Sequence, residues 1–176
     1  MSVVAAVQMA SGPNVKANLE EAEKLIKTAV QQDAKLVVLP ENFAIMGMTE
    51  VDKVAIAEAA GEGPIQQFLS QQANKHGIWI VGGTVPIESS ATGKVYSASL
   101  LYNDGGDMIA RYDKIHLFDV MLEDSNESYN ESETIESGND VVVVDTPFGK
   151  LGMAICYDLR FPELFRAMAD VGMEIC

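Results

Sequence analysis

The chain opens on a short apolar, β-rich run, Val3 to Met9, and then changes period. From 15 to 33, Leu19, Ala22, Leu25, Ile26, Ala29 and Val30 recur at helical spacing, which predicts an amphipathic helix. "KLVVLP" (35–40) is continuously apolar and stops at proline, the pattern of a strand buried on both faces. "TEVDKVAIAEAAGEG" (49–63) starts polar and predicts a short helix closing at Gly61 to Gly63. Pro64 opens another helix that Gly77 closes, with proline and glycine at the expected ends. "IWIVGGTVPI" (78–87) reads as one strand. "VYSASLLYN" (95–103) and "MIARYDK" (108–114) read as strands joined by the turn "NDGGD". Residues 119–140 read as a long acidic loop, and loops of that length are usually functional or disordered. "VVVVDTP" (141–147) and "KLGMAIC" (150–156) read as strands and "PELFRAMADVG" (162–172) as a helix. The final "MEIC" reads as the start of a further buried strand, as in a C-terminally truncated chain.

Mixed helices and buried strands predict a layered α/β (α+β) domain over residues 1–176, with no internal repeat or linker. Composition narrows the functions. Twelve basic against 26 acidic residues give a net charge of -14, which argues against nucleic-acid binding, because phosphate contacts need clustered Lys and Arg. No stretch approaches the ~20 apolar residues of a membrane span. The N-terminus has no basic segment and its apolar run stops at Gln8, unlike a signal peptide. Cys156 and Cys176 do not make a disulfide framework in a chain this long, so the expected setting is reducing and cytoplasmic. The sequons at Asn126 and Asn130 carry no weight there.

Candidate chemistry centres on "GKLGMAICYDLRFPE" (149–163). Taken alone, Cys156 reads as a small core hydrophobe. The competing reading is a nucleophile on a strand-to-helix turn, where the positive end of a helix lowers a thiol pKa. A nucleophile needs a base. His76 lies at a helix end and reads as structural; His116, in "DKIHLFD", leaves a Cys–His pair open. Glu41 follows a buried strand and a proline, at the carboxyl end where open α/β sheets place their ligands. Lys114 ends a strand. Asp158 and Arg160 read as an ion pair or hydrogen-bond set shaping the turn after the cysteine. No dinucleotide fingerprint, phosphate loop, zinc spacing or calcium loop is found, so neither cofactor nor metal is expected.

Three segments together change the picture. "LPENF" (39–43), "RYDKIHLFD" (111–119) and "GMAICYDLRFPE" (152–163) resemble, in order, the signature segments of the nitrilase superfamily of carbon–nitrogen hydrolases. The resemblance runs from "VVAAVQM" (3–9) to "MEIC" and is strongest to the branch of deaminated glutathione amidases and omega-amidases. It implies the N-terminal portion of an α-β-β-α four-layer sandwich. It implies Glu41 as general base, Lys114 as cationic residue and Cys156 as nucleophile, with the Tyr157 N–H in the oxyanion site. A second glutamate is implied in the loop after the lysine; "YNESET" offers Glu131, the favoured position, and "DSNESY" offers Glu127. The implied activity is hydrolysis of a small-molecule amide without cofactor, in a homodimer formed through the helix after Cys156. Two readings of the chain stay open: an active amidase, or a non-catalytic fragment or binding module that keeps the motifs. A thiol-redox role is weaker, because there is no C-x-x-C.

Overall fold

A computed structural model of the chain describes residues 2–122 and 127–176; Asn126, in the first sequon, lies outside them. A six-stranded sheet organises the fold. Strands β1 (Val3–Ala6), β2 (Ala34–Val38) and β3 (Trp79–Val81) run parallel. The long strand β5 (Val95–Tyr102) is antiparallel to β3, β4 (Val85–Glu88) and β6 (Met108–Asp113). Helices α1 (Val15–Gln31) and α3 (Pro64–His76) cover one face, and the short α2 (Val51–Ala55) packs near β4.

Side chains of successive strand residues point to opposite faces. Leu100 therefore joins a core with Ile26, Leu69 and Ile80 under α1 and α3. Its neighbour Leu101 joins a second core with Tyr112, Leu151, Met153, Leu164 and Met168. That second core is closed by the hairpin of β9 (Val143–Thr146) and β10 (Gly149–Gly152) and by helix α4 (Pro162–Asp170). Residues 174 and 175 lie along β10, with Ile175 bridging Leu151 in parallel, so "MEIC" does pair as a strand would.

Four expectations need correction. The helix expected over 49–63 stops at Ala55, because Glu58 has other work. Its buried carboxylate accepts from the Ile65 N–H (2.6 Å), the Gln66 N–H (3.1 Å) and the Gln66 side chain (3.1 Å), capping α3 from outside. The acidic loop is not structureless: β7 (Asp119–Leu122) and β8 (Glu127–Asn130) form an antiparallel hairpin, followed by a 3-10 turn, Glu131–Glu133. The strand expected at 150–156 ends at Gly152.

The single strand expected at 78–87 is two, β3 and β4, separated by a bulge. Between Val81 and Val85 this edge advances four residues, while its partner advances three, from Leu101 to Ala98. Gly83 sits in the bulge with φ 51, and a Cβ there would lie 2.0 Å from the Pro40 carbonyl oxygen. Thr84 next to it accepts the Asn42 N–H at 2.7 Å. The bulge is thus the seat of the turn that follows β2. Gly83→Ala should lower stability by more than ~2 kcal/mol, since a left-handed φ alone costs about 1–2 kcal/mol and the clash is with backbone. Urea unfolding measures it; a loss well under ~1 kcal/mol would mean that the Pro40 turn moves aside freely.

Among the described residues no helix is long and apolar enough to cross a membrane.

Candidate active site

Four side chains from four separate segments meet at one cleft of about 220 Å³, lined by Glu41, Lys114, Glu131 and Cys156 with Asn42 and Phe118 among its other walls. Glu41 stands in the turn after β2. Leu39 continues the strand by bonding Val81 (2.9 Å), and Phe43 and Ala44 are fully buried beyond it. Asn42 has φ 57, so the turn is tight and aims Glu41 away from the core. Lys114 extends β6 by one residue, its N–H donating to Ser97 (3.0 Å).

The Lys114 side chain is 2 % exposed. Its ammonium donates to Glu41 Oε1 at 2.8 Å and to both oxygens of Glu131, at 3.0 and 2.9 Å. Burial works against its charge, but the two carboxylates outweigh burial and hold its pKa above the ordinary lysine value. Glu131 is fixed in turn by the Phe118 N–H, which donates to its Oε2 at 2.7 Å. Of the two positions open for a second glutamate, Glu131 is the one that meets Lys114; the side chain of Glu127 lies outside the described residues.

Cys156 opens a 3-10 turn, Cys156–Arg160, rather than α4 itself. Its φ of 46 is a left-handed conformation that costs a non-glycine residue energy, and such strain collects at functional turns. The thiol is exposed to the cleft. Its pKa is raised, first by partial removal from water and then by the charge and hydrogen bonding of Glu41, with Lys114 opposing. The lowered thiol expected from a helix terminus is therefore not present: the facing charge is a carboxylate. Among the described residues no backbone acceptor takes the Tyr157 N–H.

Asp158 ties the cysteine turn to the lysine strand. Fully buried, it accepts from the Tyr112 hydroxyl (2.7 Å), the Ile155 N–H (2.9 Å) and the His116 N–H (3.1 Å), and meets His116 Nδ1 at 2.7 Å. Tyr112 and His116 flank Lys114, and Ile155 precedes Cys156. One carboxylate thus sets the relative position of the two segments. Of the ion pair or hydrogen-bond set expected of Asp158 and Arg160, the hydrogen bonds are made by Asp158 alone; among the described residues Arg160 makes no ion pair. His116 is likewise taken up, stacked on Phe161 (3.7 Å between ring centres) and bound to Asp158, and it does not line the cleft with Cys156. Tyr157 packs edge-on against Phe118 (5.0 Å) and Phe161 (5.4 Å), closing the turn.

Some cleft residues were not legible in advance. Glu50 and Lys53, around α2, and Asn130, at the end of β8, join the walls only through tertiary folding. Their spacing carries no motif.

This fold, with a thiol, a buried ammonium and two carboxylates on one cleft, is that of a carbon–nitrogen hydrolase. Residues 3–176 match the carbon-nitrogen hydrolase family, and the chain belongs to it. It is 41% identical over 173 residues to the deaminated glutathione amidase of Yersinia enterocolitica, covering 98% of this chain and 60% of that one. It is 41% identical over 174 residues to the omega-amidase NIT3 of Saccharomyces cerevisiae, covering 96% of this chain and 60% of that one. The crystal structure of Saccharomyces cerevisiae Nit3, a member of branch 10 of the nitrilase superfamily, superposes with a TM-score of 0.79 at 38% identity, over 93% of this chain and 58% of that one. The fold is therefore nitrilase-like, and the chain spans about 60% of the length of these curated relatives.

Proposed function

We propose that the chain carries the catalytic apparatus of an amidase, which hydrolyses the terminal amide of a small ω-amide and releases ammonia. The observation that carries this reading is the Lys114 ammonium, held between Glu41 and Glu131 on the same cleft as the Cys156 thiol. The names of the relatives favour deaminated glutathione as substrate, and the likeness to an omega-amidase keeps other ω-amides as the alternative, for which we take the α-ketoglutaramate type.

The mechanism follows from the electrostatics. The thiol pKa is raised, so the resting nucleophile is protonated and needs a base at the moment of attack. Glu41 takes the proton as Cys156 Sγ adds to the amide carbon. Lys114 and the Tyr157 N–H stabilise the developing oxyanion; one such donor is commonly worth ~3 kcal/mol of barrier. Glu41 returns its proton to the departing ammonia, leaving a thioester on Cys156. It then takes a proton from water as the water attacks, and the thiol is regenerated with release of the acid. Glu131 keeps Lys114 charged and in place. A reducing, cytoplasmic setting suits a reaction that needs a free thiol. The outer face of α4, with Glu163 and Arg166 exposed, is the surface proposed for a homodimer.

Ammonia release from deaminated glutathione and a few small ω-amides tests the reading. Release by this chain supports it; no release from a folded chain would leave the motifs on a non-catalytic module. A second measurement concerns Glu41. Its carboxylate helps raise the thiol pKa, so Glu41→Gln should move the pH midpoint of iodoacetamide labelling at Cys156 downward while turnover falls. An unmoved midpoint would remove Glu41 from contact with the thiol.

A further inference from the structure

A second cleft, of about 740 Å³, shares no lining residue with the first. It lies between the loop that leads into α3 and the turn that joins β5 to β6. Tyr102, the last residue of β5, lines it and is 4 % exposed. Among the described residues its hydroxyl has no hydrogen-bond partner. Buried hydroxyls are paired as a rule, and an exception calls for an explanation. Burial, and then the charge of Glu58, push its pKa up to about 12, so the hydroxyl keeps its proton.

The walls around it are acidic. Glu62 stands in the loop and Asp107 in the turn, neither makes an ion pair among the described residues, and no lysine or arginine lines the cleft. The donors at the head of α3 are already taken. The Ile65 and Gln66 N–H groups donate to Glu58 at 2.6 and 3.1 Å, and the Gln67 N–H donates to the Gly63 carbonyl at 2.9 Å. An anion therefore finds no open helix terminus here. Ser70 Oγ donates to the Gly106 carbonyl (2.6 Å) and Asn74 Nδ2 to the Gly105 carbonyl (2.7 Å), which pins the turn to α3 and fixes one wall against the other.

We infer that this second cleft binds a short aliphatic diamine, one ammonium paired with Asp107 and the other with Glu62, and the Tyr102 oxygen accepting an N–H from the ligand. An ammonium carries three donors, so it can serve a carboxylate and the hydroxyl together. Pro64 and Met108 supply apolar wall for the methylene chain. The volume suits a small ligand. A net charge of -14 draws cations to the whole surface, and the unpaired hydroxyl is what singles out this place. The inference does not depend on the amidase reading.

Calorimetric titration of the chain with 1,3-diaminopropane and 1,5-diaminopentane tests it, beside pentylamine and 1,5-pentanediol. At least one diamine should bind about tenfold or more tightly than pentylamine, and the diol should give no heat. Asp107→Asn should weaken the diamine about ten- to hundredfold, the worth of one charge-assisted hydrogen bond. Asp145→Asn removes the same charge from an exposed position on β9 and should change little. Tyr102→Phe removes a hydroxyl that has no partner in the fold, so its urea midpoint should hold or rise while the diamine binds several-fold more weakly. Heat from neither diamine overturns the inference. So does equal weakening in Asp107→Asn and Asp145→Asn, which would mean attraction to net charge alone, and so does a Tyr102→Phe variant that binds as tightly as the unmodified chain.

Discussion

Cys156→Ala is expected to reduce ammonia release to the level of the buffer alone. The proposed covalent route requires a nucleophile, and among the described residues no other thiol lines the cleft. Glu41 could in principle direct water at the amide, but without the covalent step the hard displacement of ammonia is no longer divided in two. The fold should barely notice. The thiol is exposed, so its removal leaves no cavity, and alanine meets the same left-handed φ as cysteine. Cys156→Gly makes the complementary point. Relief of the left-handed strain should stabilise the chain by about 1 kcal/mol, while activity is lost just as fully. Urea unfolding and ammonia release, measured on both variants, separate strain from chemistry. Release retained in Cys156→Ala would sink the thioester mechanism. Equal stability of the glycine and alanine variants would mean that the turn stores no strain.

The second large effect is expected at Lys114, in stability as well as in turnover. Lys114→Met keeps the length of the side chain and removes its charge. Glu41 and Glu131 then face each other without the cation between them, Glu131 with a side chain only 11 % exposed. Breaking one partner out of a buried ionic group typically costs about 3–5 kcal/mol; the partial exposure of Glu41 puts this site at the low end. The pH dependence has a definite sign. Because the folded-state pKa of Lys114 is raised, its contribution is fully present below the ordinary lysine value of 10.5 and is lost as pH rises through the higher folded value. Adding Glu131→Gln to Lys114→Met removes the repulsion and should restore most of the stability at pH 7. It should not restore ammonia release, because the oxyanion donor of the proposed mechanism is still missing, a loss of about hundredfold or more. Parallel urea titrations and rate measurements check both halves. A double variant that regains activity would deny Lys114 a place in the reaction.

Local signals in the sequence reached far into this fold. The helical spacing at 15–33, the proline and glycine at the ends of α3, and the "NDGGD" turn each produced the element expected, because propensity and packing agree there. The misreadings share a cause. "IVGGTV" (80–85) cannot reveal a bulge whose reason is a carbonyl from a turn some forty positions earlier, at Pro40. "AEAAGEG" looks helical until Glu58 is seen capping another helix.

At the site the division is similar. Glu41, Lys114 and Cys156 were visible because each sits in a recognisable segment; Glu41 and Lys114 stand just past the ends of β2 and β6, on one rim of the sheet, and the turn after β10 brings Cys156 against it. The sequence by itself thus determined which residue types the chain carries to that rim and in what order. It could not choose between Glu131 and Glu127, which share the same Glu-Ser pattern; the Phe118 N–H and Lys114 made the choice. Nor could it foresee that Asp158 would bind Tyr112 and His116 rather than Arg160, or that Glu50 and Lys53 would join the walls of the cleft. Hydrogen bonds and ion pairs between distant segments depend on distance and on exclusion from water, and both exist only once the sheet, the hairpin and the cysteine turn have packed together.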